Sequence, residues 1–253
     1  MRCPLDPAFL EVPLAHRALH DVTDRRPENS RAAIRAAIAA GYGIEIDVQA
    51  SRDAQAMVFH DAHLERLASG TGRVRDHTAA ALADIELRGG DEGVPGLPEI
   101  LELVAGRVPL LIEIKDQHGA MGPVSGGLER AVAQAVALYE GPVAVMSFNP
   151  YSVGQMARLA PQVTRGLVTC SYDPAETGLP EDVCDRLREV PDYDLLECSF
   201  VSHDRRDLDR ARVDALKAAG AHVLCWTVKS PAEEAQARNI AENITFEQYL
   251  APL

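Results

Sequence analysis

The chain has 253 residues, 47% hydrophobic and 25% charged, proportions that fit a globular protein with a sizeable core and exclude disordered and fibrous classes. Its formal net charge is -13, which repels a nucleic-acid backbone, so no nucleic-acid partner is expected. The five cysteines are odd in number, widely spaced and without a CxxC pair, which argues against a disulfide scaffold or a zinc site.

The start, Met1 to Asp6, has no apolar run of the kind a secretory leader needs, and no segment approaches the ~18 apolar residues of a membrane span. A cytoplasmic protein without stable membrane association is therefore expected, as a monomer or homodimer. The negative field would also repel an anionic substrate, so any such substrate needs cations placed locally.

In chain order, the first predicted strand is Val12–His16, ending in Ala15-His16-Arg17. A helix is predicted over Glu28–Ala40, with Gly41 where a C-terminal glycine belongs. The second strand, Gly43–Gln49, is followed by a stretch to Leu97 that is longer than a usual βα loop and carries Met57-Val58-Phe59-His60-Asp61. Beyond it, strands are predicted at Pro109–Lys115, Val143–Phe148, Thr164–Thr169, Asp194–Phe200, His222–Val228 and Asn243–Phe246. The intervening helices are expected at Leu97–Val104, Leu128–Tyr139, Tyr151–Leu159, Glu181–Arg188, Asp207–Ala219 and Pro231–Asn239. Eight strands alternating with helices in about 250 residues predict an α/β fold, a single (β/α)₈ TIM barrel with an insertion after strand 2. With no linker, repeat or low-complexity tract, residues 1–253 are expected to form one domain.

Strand alternation selects the first candidate site residues. In Gly43-Ile44-Glu45-Ile46-Asp47-Val48, Glu45 and Asp47 share one face and the apolar residues the other. Leu111-Ile112-Glu113-Ile114-Lys115 repeats the pattern with Glu113 and Lys115. In a parallel barrel the apolar face meets the helices, so these charges point inward near the C-terminal mouth, where barrel enzymes keep their sites. Three converging carboxylates repel one another unless a cation lies between them, and hard oxygen ligands select Mg²⁺, Ca²⁺ or Mn²⁺. A buried ion-pair network, with Lys115 and an arginine from elsewhere in the chain balancing the carboxylates, is the alternative reading. His16 and His60 have the right chemistry to move protons near neutral pH, Arg17 offers a planar fork to phosphate oxygens, and Lys115 a point charge. Together these suit phosphoryl chemistry better than carbonyl chemistry.

At this point the residues resemble a known family. His16-Arg17, Pro27-Glu28-Asn29-Ser30, Glu45-Ile46-Asp47-Val48 and Val58-Phe59-His60-Asp61 follow the order of the N-terminal signature of the glycerophosphodiester phosphodiesterases. The run from His60 to Gly72, Val94-Pro95-Gly96-Leu97-Pro98-Glu99-Ile100-Leu101, Leu111-Ile112-Glu113-Ile114-Lys115, Ser147-Phe148 and Trp226-Thr227-Val228 are similar to later family features. The resemblance implies a (β/α)₈ barrel cleaving glycerophosphodiesters to glycerol 3-phosphate and an alcohol with Mg²⁺ or Ca²⁺. It implies Glu45, Asp47 and Glu113 as metal ligands, His16 and His60 as the acid/base pair, and Arg17 and Lys115 as phosphate holders. Phe148 and Trp226 are candidate walls against the substrate, with core filling as their alternative. Glu28 and Asn29 are expected to shape the first loop. The chain departs from the family pattern at Ala18, where glycine is usual, at Ala68 and Pro98, and in a longer stretch between His16 and Pro27, which is expected to bear on specificity. The other histidines, His20, His63, His77, His118, His203 and His222, are expected away from the chemistry. Two other readings keep the fold: a lysophospholipase D-like phosphodiesterase, and a non-catalytic metal- or phosphate-binding barrel.

Overall fold

The computed structural model describes residues 2–253. Its strands are β1 (Leu14–Ala15), β2 (Gly43–Ala50), β3 (Ala56–Val58), β4 (Leu110–Ile114), β5 (Val143–Ser147), β6 (Thr164–Thr169), β7 (Phe200–Asp204), β8 (His222–Val228) and β9 (Asn243–Phe246). Apart from β3 they run parallel in the order β1-β2-β4-β5-β6-β7-β8-β9, and β1 pairs with β9, closing the eight-stranded barrel the alternation of elements predicts. No helix among the described residues is long and apolar enough to cross a membrane.

Period-2 alternation divides the buried residues into two layers. Ile44, Ile46 and Val48 of β2 face outward and pack with Ile34, Ala33 and Ala37 of the helix Arg31–Ala40. Burying each of these isoleucine and valine side chains contributes about 1.5–3 kcal/mol. That helix starts where Ser30 Oγ accepts the Ala33 amide, three residues after the predicted start, because Pro27 to Asn29 form a turn with Asn29 at φ 60°. The inward row is a second apolar cluster, including Leu14, Leu111, Met146, Val168, Phe200 and Leu224. Gly166 is required there: a Cβ on it would lie 2.4 Å from the Phe200 ring.

The floor of the barrel is closed by a short helix, Ala8–Glu11, that was not expected from the sequence; it inserts Phe9 among these side chains. Asn243 of β9 fixes it by donating to the carbonyls of Phe9 and Val12, both at 2.7 Å. Above the floor the inner face becomes polar.

Two expectations are corrected. The sixth barrel strand is Phe200–Asp204, not Asp194–Phe200; Asp192–Leu195 is a helical turn, and Glu197 sits at φ 51° with its carboxylate 3.0 Å from Arg165. The shift arises because the strand buries Ser202, His203 and Asp204, which a hydrophobicity pattern assigns to a loop; His203 is satisfied by Thr169 at 2.8 Å and Asp204 by Arg206 at 2.7 Å. The long segment after β2 is also more ordered than a loop. β3 pairs antiparallel with β2, and Met57, Phe59, Leu64, Val74, Leu82 and Val94 build a small core of their own.

Candidate active site

The catalytic mouth is built from strand ends. Parallel register sets Asp47 of β2 beside Glu113 of β4, and inward alternation adds Glu45 two residues below. Oxygen atoms of Glu45, Asp47 and Glu113 all lie within 4.8 Å of one another, and all three side chains are buried. His16 and Arg17 follow β1 directly, in a turn where Arg17 and Ala18 have φ values of 53° and 63°. This left-handed backbone explains why glycine suits position 18. His60 follows β3, whose antiparallel pairing with β2 brings the segment back beside the barrel strand; the Phe59 amide donates to Asp47 O at 3.0 Å.

These residues surround one cavity of about 90 Å³, walled on its far side by Met146, Phe148, Val168, Trp226 and Thr245. All nine residues singled out in the sequence thus line the same space. Phe148 and Trp226 meet edge to face, 5.5 Å between centroids, and the Trp226 indole N–H donates to Ser202 O at 3.1 Å. Thr245 Oγ1 is buried at this wall with no protein partner.

Each histidine is held by a carboxylate through Nδ1. His16 Nδ1 lies 2.7 Å from Glu247 Oε2, and His60 Nδ1 lies 2.6 Å from Asp61 Oδ1. A carboxylate only accepts, so both rings carry their proton on Nδ1 when neutral and keep Nε2 for other partners. Glu247 is further held by Lys229 at 2.8 Å and His20 at 3.4 Å. Asp61 is gripped by Arg66, which also reaches Glu28, and Glu28 Oε1 accepts from Arg17 at 2.9 Å. A relay of alternating charges thus joins Arg17 to His60 around the rim. Glu28 belongs to this relay, and Asn29 donates to Asp47 Oδ2 at 3.0 Å.

The ionisation states are set by burial and by this charge pattern. Burial lowers the His16 pKa, against the opposing hydrogen bond to Glu247. Burial, then the charges of Asp47 and Glu113, pushes the Glu45 carboxyl well above the usual carboxylate range. Asp47 moves the other way: burial opposes its charge, but Lys115, His60 and Arg17 outweigh it. Lys115 is raised because Glu113 and Asp47, 2.7 and 3.2 Å away, overcome its own desolvation.

Lys115 therefore sits among the carboxylates, as an ion-pair network requires, but it does not complete one. Glu45 is 2% exposed, and no cationic side chain among the described residues lies within 4.0 Å of it; its Oε2 accepts only the Arg17 backbone N–H, at 3.0 Å. A buried carboxylate without a counterion is costly, and a divalent cation shared by Glu45, Asp47 and Glu113 would remove that cost. The all-oxygen donor set fits Mg²⁺, Ca²⁺ or Mn²⁺.

Glu247, Arg66 and Thr245 were not found in the sequence. Glu247 and Thr245 continue the inward alternation of β9 from Asn243, a pattern readable once that strand is placed. His20 lies closer to the site than expected, through Glu247. His203 is a buried ligand of Thr169 and Asp207 outside the cavity, and His222 pairs with Glu242.

A model of the Glycerophosphoryl diester phosphodiesterase family matches residues 16–243. The Glycerophosphodiester phosphodiesterase of Caldanaerobacter subterraneus subsp. tengcongensis is 32% identical over 151 residues, covering 56% of this chain and 61% of that relative's length. Glycerophosphodiester phosphodiesterase 1 of Homo sapiens is 29% identical over 176 residues, 65% of this chain and 51% of its own. Among solved structures, an Oleispira antarctica phosphodiesterase in complex with the product sn-glycerol-3-phosphate superposes with a TM-score of 0.76 at 23% identity, covering 96% of this chain and 95% of that one. At that identity the structural likeness shows the fold.

Proposed function

Because the chain belongs to the glycerophosphoryl diester phosphodiesterase family, we propose that it hydrolyses glycerophosphodiesters to sn-glycerol 3-phosphate and an alcohol. The observation that carries this reading is the pair of carboxylate-held histidines facing one cavity with three buried carboxylates. Breaking a phosphodiester requires a base to take a proton from the attacking nucleophile, water or the adjacent glycerol hydroxyl, and an acid to return one to the leaving alkoxide. His16 and His60 take these parts, each with its Nε2 free and its orientation fixed from behind.

Glu45, Asp47 and Glu113 hold a divalent cation, Mg²⁺, Ca²⁺ or Mn²⁺, which when bound supplies charge neutralisation to the phosphate. Arg17 and Lys115 bind the non-bridging phosphate oxygens. Phe148 and Trp226 pack against the glycerol carbons. That the Oleispira antarctica structure carries sn-glycerol-3-phosphate supports the same product here. The nine strands of the described residues form one sheet, which supports reading residues 1–253 as one domain.

The test is product analysis with glycerophosphocholine, glycerophosphoethanolamine and glycerophosphoglycerol, each with Mg²⁺, Ca²⁺ and Mn²⁺. Release of sn-glycerol 3-phosphate that stops on chelation is expected. No release from any diester with any of the three cations sinks the proposal.

A further inference from the structure

The catalytic cavity, at about 90 Å³, is far smaller than the roughly 300–1,000 Å³ of small-molecule pockets. The alcohol half of a diester must therefore lie outside it. A separate groove of about 310 Å³ is lined by Gln49 and by Ala62 and His63, which follow His60 in the chain. Its relation to the chemistry is set by β2: Glu45 and Asp47 line the cavity, and Gln49, next on the same inward row, lines the groove. Gln49 Nε2 donates to the His60 carbonyl at 2.9 Å, and Gln117 Nε2 donates to Gln49 Oε1 at 2.9 Å. The groove floor is thus hydrogen-bonded to the backbone of the histidine at the reacting phosphate.

The groove's charge is opposite to that of the molecule. Arg73 and Arg75 line it, and no carboxylate among the described residues lies within 4.0 Å of either. Arg75 Nη1 donates to the Gln117 carbonyl at 3.2 Å, which anchors it over the floor and leaves its other N–H groups available. The one acidic lining residue, Asp116, is already committed: Oδ1 accepts from Asn149 Nδ2 at 3.1 Å and Oδ2 from the Met121 amide at 2.9 Å. Two arginines left without carboxylate partners, in a protein of net charge -13, present donors that match phosphate or carboxylate oxygens.

We propose that this groove is a leaving-group subsite for diesters whose departing alcohol carries a negative charge of its own, as a phosphate monoester or a carboxylate. The proposal rests on the hydrolase reading above and specifies its substrate class. A second groove, of about 480 Å³, lies on the His16 side, but its carboxylates are already paired: Asp21 with Arg26 at 3.8 Å, and Glu247 with His16, His20 and Lys229.

The experiment measures kcat/KM, with metal-loaded protein, for glycerophosphocholine and for diesters ending in glycerol phosphate and in glycerate; the last two distinguish phosphate from carboxylate as the anion read. Anionic alcohols are expected to exceed choline by roughly tenfold, mainly in KM, because the subsite lies away from the reacting bond. Arg75→Ala is expected to reduce that ratio about fivefold and Arg73→Ala, more exposed, about twofold, both differences shrinking in high salt. Arg75→Lys recovers part of the ratio, whereas a packing defect would lower all three rates together. Preference for choline, or a ratio unmoved in both arginine variants, overturns the subsite and leaves the hydrolase reading intact. Failure to cleave any diester overturns both.

Discussion

The two halves of the barrel mouth solve opposite problems with the same backbone. Around β1, β2 and β4, the inward side chains that line the cavity are ionisable, and the cluster depends on reciprocal charge: Arg17 with Glu28, Lys115 with Glu113 and Asp47. Around β5, β6 and β8, the corresponding side chains are Met146, Phe148, Val168 and Trp226, held by contact and one indole hydrogen bond. The first half is costly to bury and gains that cost back only when its charges are matched, so its parts are interdependent. The second half is stable in itself and shapes the space left over. Substitutions should therefore act on chemistry in the charged half and on affinity in the apolar one.

The sharpest break in this contrast is at the carboxylates. Glu113→Gln or Asp47→Asn should lower kcat/KM by at least about 10³-fold, the scale of a lost metal that contributes several kcal/mol. Wild-type protein should gain thermal stability with saturating Mg²⁺ or Ca²⁺, about 2.7 kcal/mol at a hundredfold excess over Kd, and these variants should not. Equal melting shifts in wild type and variants would show that the cation binds elsewhere.

A smaller effect is expected where a carboxylate acts through a histidine. Glu247→Gln should reduce kcat roughly 10- to 100-fold by loosening the tautomer and orientation of His16. The sign of its pH effect follows from the site. Glu247 raises the His16 pKa against burial, so removing it lowers that pKa further, and the limb of the rate profile due to His16 should move to lower pH. A profile that stays in place would separate Glu247 from His16. Glu247 itself, its carboxyl held low by His16, His20 and Lys229 against burial, contributes stability above its unfolded pKa and loses it as pH falls.

In the apolar half, Trp226→Ala should raise KM about tenfold, roughly 1.4 kcal/mol, with a smaller change in kcat. A kcat-dominated loss would place the indole in the chemistry instead. The smallest effect concerns the turn that carries His16 and Arg17. Ala18→Gly should stabilise the fold by about 0.5–1 kcal/mol in urea denaturation, because φ 63° costs alanine more than glycine. A loss of stability would show that the buried Ala18 methyl outweighs the backbone strain.

Legibility in the sequence followed the physics of each half. Glu45, Asp47, Glu113 and Lys115 were readable because strand alternation is strict and charges between isoleucines stand out. The barrel was readable from repeated alternation of strands and helices, and its sixth strand was misplaced because buried Ser202, His203 and Asp204 mimic a loop. The floor helix Ala8–Glu11 is four residues long, too short to show a period. The relay through Glu28, Arg66 and Asp61 joins residues distant in sequence across the rim, and no local pattern encodes such a contact. Glu247 lies one residue beyond the last strand, β9, where the register that turns it inward depends on closure of the barrel.

The central claim is that His16 and His60 move the protons of a phosphodiester hydrolysis beside a carboxylate-held cation. It is tested most directly by measuring, on the same samples of His16→Ala and His60→Ala, calorimetric binding of Ca²⁺ or Mg²⁺ and release of sn-glycerol 3-phosphate. Both variants should bind the cation as wild type does and lose roughly 10²- to 10⁴-fold in kcat. Turnover that survives either substitution with the cation bound would contradict the account.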